Sequence, residues 1–352
     1  MSDAPASLVA LARRVEDRLA AVIDAEATRW QAVDPALGDV FVALRSLTLG
    51  GGKRLRPAFC HWGFVGAGGA DEDDRWIDAG AAFELLHAFA LFHDDVMDGS
   101  ATRRGARSAH LVFADRHAEQ SWTGESRRFG EGVAILIGDL AFVYADRLLS
   151  GAPVAARAIW HELRIELNVG QYLDVVGTAR NERRADAADR IVRYKSGKYT
   201  VERPLHLGAA LAAPERTGEL LGPLSAYGLP LGDAFQLRDD VLGAFGDEAV
   251  TGKPVGDDLR EGKPTPLLAL ATAAATPAQH AVLARIGRPD LDEDAILKLQ
   301  EVLVSTGALA ALEARIEALT HEAVHALAGA PITAEARTAL TDLAHYVAWR
   351  EK

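Results

Sequence analysis

The chain has 352 residues, 49% of them apolar and 25% charged, with a net charge of −12. That is an ordinary globular composition with length enough for a large core, and its acidity argues against a nucleic-acid partner. The single cysteine, Cys60, excludes an internal disulfide framework and fits a reducing, cytoplasmic location; it reads as a buried structural thiol. The N-terminal segment carries Asp3, Glu16 and Asp17 and lacks a continuous apolar run, so no signal peptide is expected, and no apolar run is long enough to span a bilayer. Ala, Leu, Arg and Glu are abundant and alternating Val, Ile and Thr runs are missing, which predicts an all-α chain. With no linker and no internal repeat, residues 1–352 are expected to form a single domain.

Residues 7–31 have a helical period, with Leu8, Leu11, Val15, Leu19 and Val22 in one stripe. A second amphipathic segment covers 36–48. GGG at 50–52 then permits a sharp bend and close backbone approach to an anion. Lys53, Arg54 and Arg56 follow, and Pro57 suits the first turn of the next helix, a favourable place for a phosphate. Residues 66–74 read as a surface loop.

A helix predicted over about 75–98 ends in HDDVMD. Asp94 and Asp98 are four apart and share a face, with Asp95 beside them. Three like charges in one turn at the end of an apolar helix are unfavourable unless a cation sits there. Oxygen ligands without Cys or His suit Mg²⁺, which keeps waters and needs only one or two carboxylates plus a phosphate. Arg103 and Arg104 then offer permanently charged forks for phosphate oxygens. A solvated acidic face is the competing reading of this stretch taken alone.

Residues 115–131 are polar and read as a long loop. Apolar helices are predicted over 132–149 and 154–180, the latter carrying Gln171 and Asp174. Residues 194–199 read YKSGKY, and an apolar helix resumes after Arg203 and Pro204. A second acidic helix, GDAFQLRDDVLGAFGD, spans 232–247 and carries Asp239 and Asp240, with Lys253 and Lys263 downstream. After about 275 the chain alternates helix and turn without a chemical motif and reads as scaffold.

Three stretches in this order, GGGKRLRP at 50–57, DDVMD followed by Arg103-Arg104, and FQLRDDVLG at 235–243, resemble the trans-type isoprenyl diphosphate synthases, the head-to-tail prenyltransferases. The likeness spans roughly residues 40–270. It implies a multi-helix isoprenoid synthase bundle around a central apolar cavity. It also implies Mg²⁺-dependent condensation of isopentenyl diphosphate with allylic diphosphates, with up to three ions held jointly with the diphosphate.

Carried over residue by residue, the resemblance makes Asp94, Asp98 and Asp239 metal ligands, with Asp95 and Asp240 in the same catalytic clusters. Lys53, Arg56, His87 and Arg104 would bind isopentenyl diphosphate. Arg103, Lys195, Ser196, Gln236, Lys253 and Lys263 would contact the allylic substrate or its diphosphate. Arg54 falls on a variable position, His93 has no matching role, and Lys198 is an extra lysine beside the functional one. Gln171 and Asp174 resemble a polar pair beside the active site. Phe89, five residues before Asp94 and about 7.5 Å down the helix, would plug the product pocket, with small Ala90 beside it. The first motif has no insertion, which resembles the geranylgeranyl type, with farnesyl diphosphate the next expectation. A homodimer is implied as well.

One position departs from the pattern. Gly243 stands where the family places the third aspartate of its second motif, and Asp247 and Asp258 are close enough in sequence to compensate. Two alternatives follow: a class I terpene cyclase, which would need no second diphosphate site, and a non-catalytic regulatory subunit of a prenyl synthase.

Overall fold

A computed structural model describes residues 5–182, 184–246, 255–288 and 290–349. The chain opens with α1 (Ala6–Gln31), α2 (Gly38–Leu49), α3 (Leu55–Gly66) and α4 (Arg75–Asp98). A two-stranded ribbon follows, pairing β1 (Thr102–Arg103) antiparallel with β2 (Ala106–Arg107); these are the only strands among the described residues. Then come α5 (Ala109–Glu119), α6 (Ser126–Leu148), α7 (Val154–Ala179) and α8 (Ala185–Ile191), and a π-helical segment, Val192–Glu202. After it run α9 (Arg203–Ala212) and α10 (Thr217–Phe245), then the shorter α11 (Asp257–Glu261), α12 (Pro266–Ala274) and α13 (Pro277–Leu283). The chain closes with α14 (Glu293–Ser305), α15 (Ala308–Ala326) and α16 (Ala334–Ala348). The all-α expectation holds, and the helix expected over about 75–98 has those bounds, whereas the acidic stretch expected over 232–247 is the end of a longer helix, Thr217–Phe245.

Helix α4 is central. Every residue from Ala79 to Leu86 is buried, so it is enclosed on all sides rather than on one stripe. Its neighbours include α1, α3 and α6, and together with α9 they form the larger apolar core. The stripe of α1 is Leu8, Leu11, Val15 and Leu19 as expected, but Ile23 rather than Val22 completes it. Position 23 follows 19 by four, which keeps the 3.6-residue period better. A second apolar core lies beneath the C-terminal half of α10 and is filled from α11, α12, α14 and α15. Helix α10 joins the two: Leu220, Leu224, Tyr227 and Leu231 belong to the first, and Ala234, Leu237 and Val241 to the second. Among the described residues no single helix is long and apolar enough to cross a membrane.

The expected long loop over 115–131 is corrected by the structure. Helix α5 runs on to Glu119 and α6 begins at Ser126, leaving only 120–125 as the connection. The buried stripe of α5, His110, Phe113 and His117, enters this polar segment only at His117. The rings of Trp122 and Phe129 close on His117 at 6.0 and 5.1 Å between centroids. Histidine and tryptophan here act as apolar bodies with polar edges.

Candidate active site

The acidic end of α4 divides its carboxylates by direction. Asp95 turns inward, is buried, and accepts from Arg103 Nε at 2.8 Å and Nη2 at 2.5 Å. Asp94 and Asp98, four residues apart, share a different face of the helix. Gly99, at φ 65°, ends the helix in the left-handed conformation and turns the chain into the ribbon. The ribbon folds Arg103 back over the helix end, with Nη2 3.5 Å from Asp94 Oδ2. Its neighbour Arg104, at φ 54°, goes the other way and donates to the Gly51 and Leu47 carbonyls at 2.6 and 2.8 Å. The two consecutive arginines therefore serve two different places.

Lys195 arrives from the π-helical segment. Its Nζ donates to Asp174 Oδ2 at 2.5 Å and to Asp94 Oδ1 at 3.2 Å, while Gln171 Nε2 donates to Asp94 Oδ1 at 3.0 Å. The expected polar pair on α7 is thus the cradle of Lys195 and Asp94. Glycines seat the segment between α7 and α10. A Cβ on Gly170 would lie 2.3 Å from Lys195 N, and one on Gly232 2.5 Å from the Gly197 carbonyl oxygen. Ser196 is half-buried on the same segment. Lys198 instead pairs with Glu166, which also accepts from Arg203 at 2.6 and 2.7 Å, so this lysine belongs to a structural ion cluster.

The second acidic cluster repeats the division seen on α4. Asp239 is half-buried, whereas Asp240 turns inward, is buried, and accepts from Gln236 Nε2 at 2.9 Å. Lys263, just beyond α11, bridges the two clusters: its Nζ is 2.5 Å from Glu261, 3.6 Å from Asp258 and 3.9 Å from Asp98. Lys253 and Asp247 lie outside the described residues.

The charges shape the carboxylates differently. Burial alone would push Asp94 up, but Lys195, Lys263 and Arg103 outweigh it and hold it at about 2. Burial and the neighbouring Asp94 charge push Asp98 up to about 6, with the two lysines only partly offsetting them. Burial drives Asp240 well above the carboxylate range, aided by Asp258 and Asp239. Burial opposes the charge of Lys195 and Lys263, but the surrounding carboxylates raise both.

On the other side of the ribbon lies a basic cluster whose neighbouring carboxylate, Glu84, is paired with Arg54. Arg56 stacks its guanidinium 4.2 Å over the Tyr199 ring and donates to Thr200 Oγ1 at 3.2 Å. His87 stands 6.3 Å from the same ring. Arg56 Nε, His87 Nδ1 and Tyr199 Oη are buried and have no hydrogen-bond partner among the described residues. Burial and then Arg56, Arg104, Arg103 and Arg54 hold His87 neutral, well below its usual value. Three orphaned polar atoms among arginines are costly unless an anion answers them. Arg54 is spoken for: it is buried, pairs with Glu84 and Glu16, and donates to the Thr48 carbonyl at 2.7 Å. Lys53 lines an adjoining groove with Leu8, Arg13, Glu16 and Tyr346. Tyr199 and Thr200 were not singled out in the sequence; their only signal is their place after Lys195.

Further down α4, Phe89 packs its ring 4.8 Å from Phe142 of α6 and 4.6 Å from His93, with half-buried Ala90 beside it. Nε2 of His93 lies 3.0 Å from the Ile135 carbonyl oxygen, a structural contact as expected.

Among the described residues, no three His, Cys, Asp or Glu side chains are gathered closely enough to hold an ion by themselves. The donor set nevertheless fits Mg²⁺. All the outward ligands are carboxylate oxygens, two ammonium groups already sit against them as cations, and Mg²⁺ is held by few carboxylates plus phosphate.

Two acidic helix faces opposed across lysines and arginines, in an all-α bundle, define the diphosphate-handling architecture of the isoprenoid synthases. Residues 40–303 match the family model of the polyprenyl synthetases. A geranylfarnesyl diphosphate synthase of Aeropyrum pernix is 33% identical over 86% of this chain and 91% of that protein. A geranylgeranyl diphosphate synthase of Mycobacterium tuberculosis is 38% identical over 61% of this chain and 57% of that one. The crystal structure of a geranylgeranyl pyrophosphate synthase from Corynebacterium glutamicum, complexed with isoprenyl diphosphate and magnesium, superposes with a TM-score of 0.88 at 38% identity, covering 96% of this chain and 97% of that one. The chain belongs to the polyprenyl synthetase family. It is a trans-prenyltransferase rather than a cyclase or a regulatory subunit.

Proposed function

We propose that this protein condenses isopentenyl diphosphate with an allylic diphosphate, with Mg²⁺, and releases geranylgeranyl diphosphate as its main product. The observation that carries the reading is the pair of basic sites on either side of the ribbon, one lined by Asp94, Asp98 and Asp239, the other by Arg56, Arg104 and His87, where the neighbouring carboxylate, Glu84, is taken up by Arg54. A cyclase needs only the first. The product length follows the names of the Mycobacterium and Corynebacterium relatives and the Phe89–Phe142 contact on α4 and α6.

The allylic diphosphate binds on the acidic side. When bound, Mg²⁺ held by Asp94, Asp98 and Asp239 supplies charge neutralisation at the leaving group. Arg103, Lys195 and Lys263 add donors aimed where negative charge develops, a preorganised electrostatic contribution. Gln236 and Lys253 complete the expected contacts, with Ser196 beside Lys195. Asp95 and Asp240 act from beneath, Asp95 by fixing the Arg103 fork and Asp240 by anchoring Gln236. Lys195 and Lys263 neutralise the carboxylates before substrate arrives, which keeps the acidic mouth from repelling a polyanion.

Isopentenyl diphosphate binds on the other side, at Arg56, Arg104, His87 and Lys53. Its double bond attacks the allylic cation left by departure of pyrophosphate, and a proton is then lost to that pyrophosphate, since the site offers no evident side-chain base. Neutral His87 donates a hydrogen bond without adding charge. The chain acts as one cytoplasmic domain, with α10 shared by both cores, and as a homodimer. Exposed apolar stripes support the dimer: Leu136 and Val143 on α6, and Ile165, Val169 and Tyr172 on α7.

The test is product analysis of the purified protein with Mg²⁺, isopentenyl diphosphate and dimethylallyl, geranyl or farnesyl diphosphate in turn. Geranylgeranyl diphosphate that disappears on adding EDTA is the expected result. No condensation with any primer by folded protein would refute the reading.

A further inference from the structure

Glu166 is a buried carboxylate on α7 that belongs to neither acidic cluster. It accepts from Arg203 Nε at 2.7 Å and from Nη2 at 2.6 Å, and it pairs as well with the Lys198 ammonium. Burial would push it up, but Arg203 and Lys198 outweigh that and hold it below the usual carboxylate range. It is therefore a lasting anion, answered by two cations from one stretch of chain. The two cations flank the residues from Tyr199 to Glu202. Tyr199 and Thr200 in turn carry Arg56, whose guanidinium stacks 4.2 Å over the ring and donates to Oγ1 at 3.2 Å.

The segment needs such a hold. Its π-helical hydrogen bonding runs over 11 residues, Val192–Glu202, where chains ordinarily tolerate a single turn. Helix α7 supplies the hold from positions 166, 170 and 174, which are four apart and so share one face. Asp174 takes the Lys195 ammonium at 2.5 Å and Gly170 lets the Lys195 backbone close in, which fixes the end that serves the acidic site. Glu166 fixes the other end. A rival carboxylate lies close by. Glu202 is 3.9 Å from both Lys198 Nζ and Arg203 Nε, and its Oε2 is buried with no hydrogen-bond partner among the described residues. Without the Glu166 charge both cations would turn to Glu202, which sits on the segment itself, and the tie to α7 would be lost.

We propose that Glu166 is a positioning residue for the isopentenyl diphosphate half of the reaction: by clamping Lys198 and Arg203 to α7 it holds Tyr199 and Thr200 where they aim Arg56. The proposal rests on the reading of Arg56 as a ligand of that diphosphate, and it adds the group that sets the ligand's aim. Glu166 itself touches no substrate. One face of α7 thereby governs the two half-sites separately, with Asp174 and Gly170 acting on the allylic side and Glu166 on the five-carbon side.

The experiment compares the wild-type chain with Glu166→Gln, which keeps the shape and removes the charge, with a thermal melt to establish folding. Isopentenyl diphosphate is titrated calorimetrically into metal-free protein, and KM is measured for isopentenyl and farnesyl diphosphates with Mg²⁺. Isopentenyl diphosphate is expected to bind about 10- to 100-fold more weakly, with its KM raised in step and the KM for farnesyl diphosphate within about twofold of wild type. Thr200→Val, which removes an acceptor of Arg56, is expected to weaken the same binding. The double variant is expected to be no worse than the weaker-binding single variant by more than about twofold, because both act through one guanidinium. Unchanged isopentenyl diphosphate binding in folded Glu166→Gln would overturn the proposal. So would equal rises in both KM values, the mark of a general packing role, or fully additive losses in the double variant. If Glu166→Gln does not fold, Lys198→Met keeps the Arg203 pair and carries the same test, with a smaller loss of the same kind expected and the same results overturning it. A wild-type chain that neither binds isopentenyl diphosphate nor condenses it would remove the parent reading and this proposal together, which separates the two failures.

Discussion

Gly170 of α7 and Lys195 of the π-helical segment are in direct backbone contact: a single added carbon on Gly170 would sit 2.3 Å from the Lys195 nitrogen and 2.6 Å from its Cα. The lysine's reach to Asp94 and Asp174 depends on that approach. Substituting Gly170→Ala should push the segment off α7 and cost about 1–3 kcal/mol in stability through overpacking. The Lys195 ammonium should retreat from Asp94, so KM for the allylic diphosphate should rise while KM for isopentenyl diphosphate changes little. Equal changes in both KM values would show that the contact supports the fold in general and not this lysine.

The raised titration of Asp98 has a sign that can be checked in metal-free protein. A carboxyl pushed up to about 6 is forced to ionise against its surroundings above that pH, so it costs stability there. The cost fades as pH falls through about 6 toward the ordinary carboxylate range. Asp94, held at about 2, does the opposite: its contribution is present above the ordinary range and is lost only as pH falls toward 2. Asp98→Asn should therefore raise the metal-free Tm at about pH 8 and have a smaller effect at about pH 4.5. The same variant should lose prenyl transfer by about a hundredfold or more. A Tm difference that does not change with pH would contradict this account of the cluster.

Product length should respond to Phe89 and Phe142 together. Their rings lie 4.8 Å apart, one from α4 and one from α6. Phe89→Ala should shift products beyond geranylgeranyl diphosphate, and adding Phe142→Ala should shift them further. If chromatography of the dephosphorylated products shows the wild-type distribution for Phe89→Ala, the floor of the pocket lies elsewhere.

The apolar stripes of α6 and α7 test the dimer. Leu136 is 62% exposed and Val169 47%, and each has an exposed apolar neighbour at helical spacing, Val143 and Ile165. Leu136→Asp with Val169→Asp should halve the mass measured by sedimentation equilibrium while leaving the helical circular dichroism intact. An unaltered mass would place any self-association on another surface.

Much of this site was legible as residue spacing. Asp94 and Asp98 could be set on one helical face, because a four-residue spacing is a local signal. What could not be read depends on other segments. Nothing in YKSGKY announces a π-helical turn; Lys195 is aimed by Gly170 and by the Gly197–Gly232 contact, both distant in sequence. The inward turn of Asp95 and Asp240 follows from the 100° step between neighbours, yet only the fold shows which neighbour faces the core. The segment 115–131 misled by composition, because only His117 and Gly130 in it are buried and the contacts that fold it are histidine–aromatic instead of aliphatic. Sequence proximity could name Asp258 beside Gly243, but only packing sets its carboxylate over that glycine.

Arg103 and Arg104 have a further consequence. Consecutive Cα atoms are about 3.8 Å apart, yet one guanidinium goes to Asp95 and Asp94 and the other to the Gly51 carbonyl. On the proposed reading, the partition between two polyanions is one peptide unit thick. Head-to-tail coupling asks for an awkward geometry: hydrocarbon ends touching, charged ends held apart. A ribbon that sends adjacent side chains to opposite sides supplies that geometry at its smallest scale. An inserted residue between the two arginines would change the gap between the reacting carbons without touching either of them.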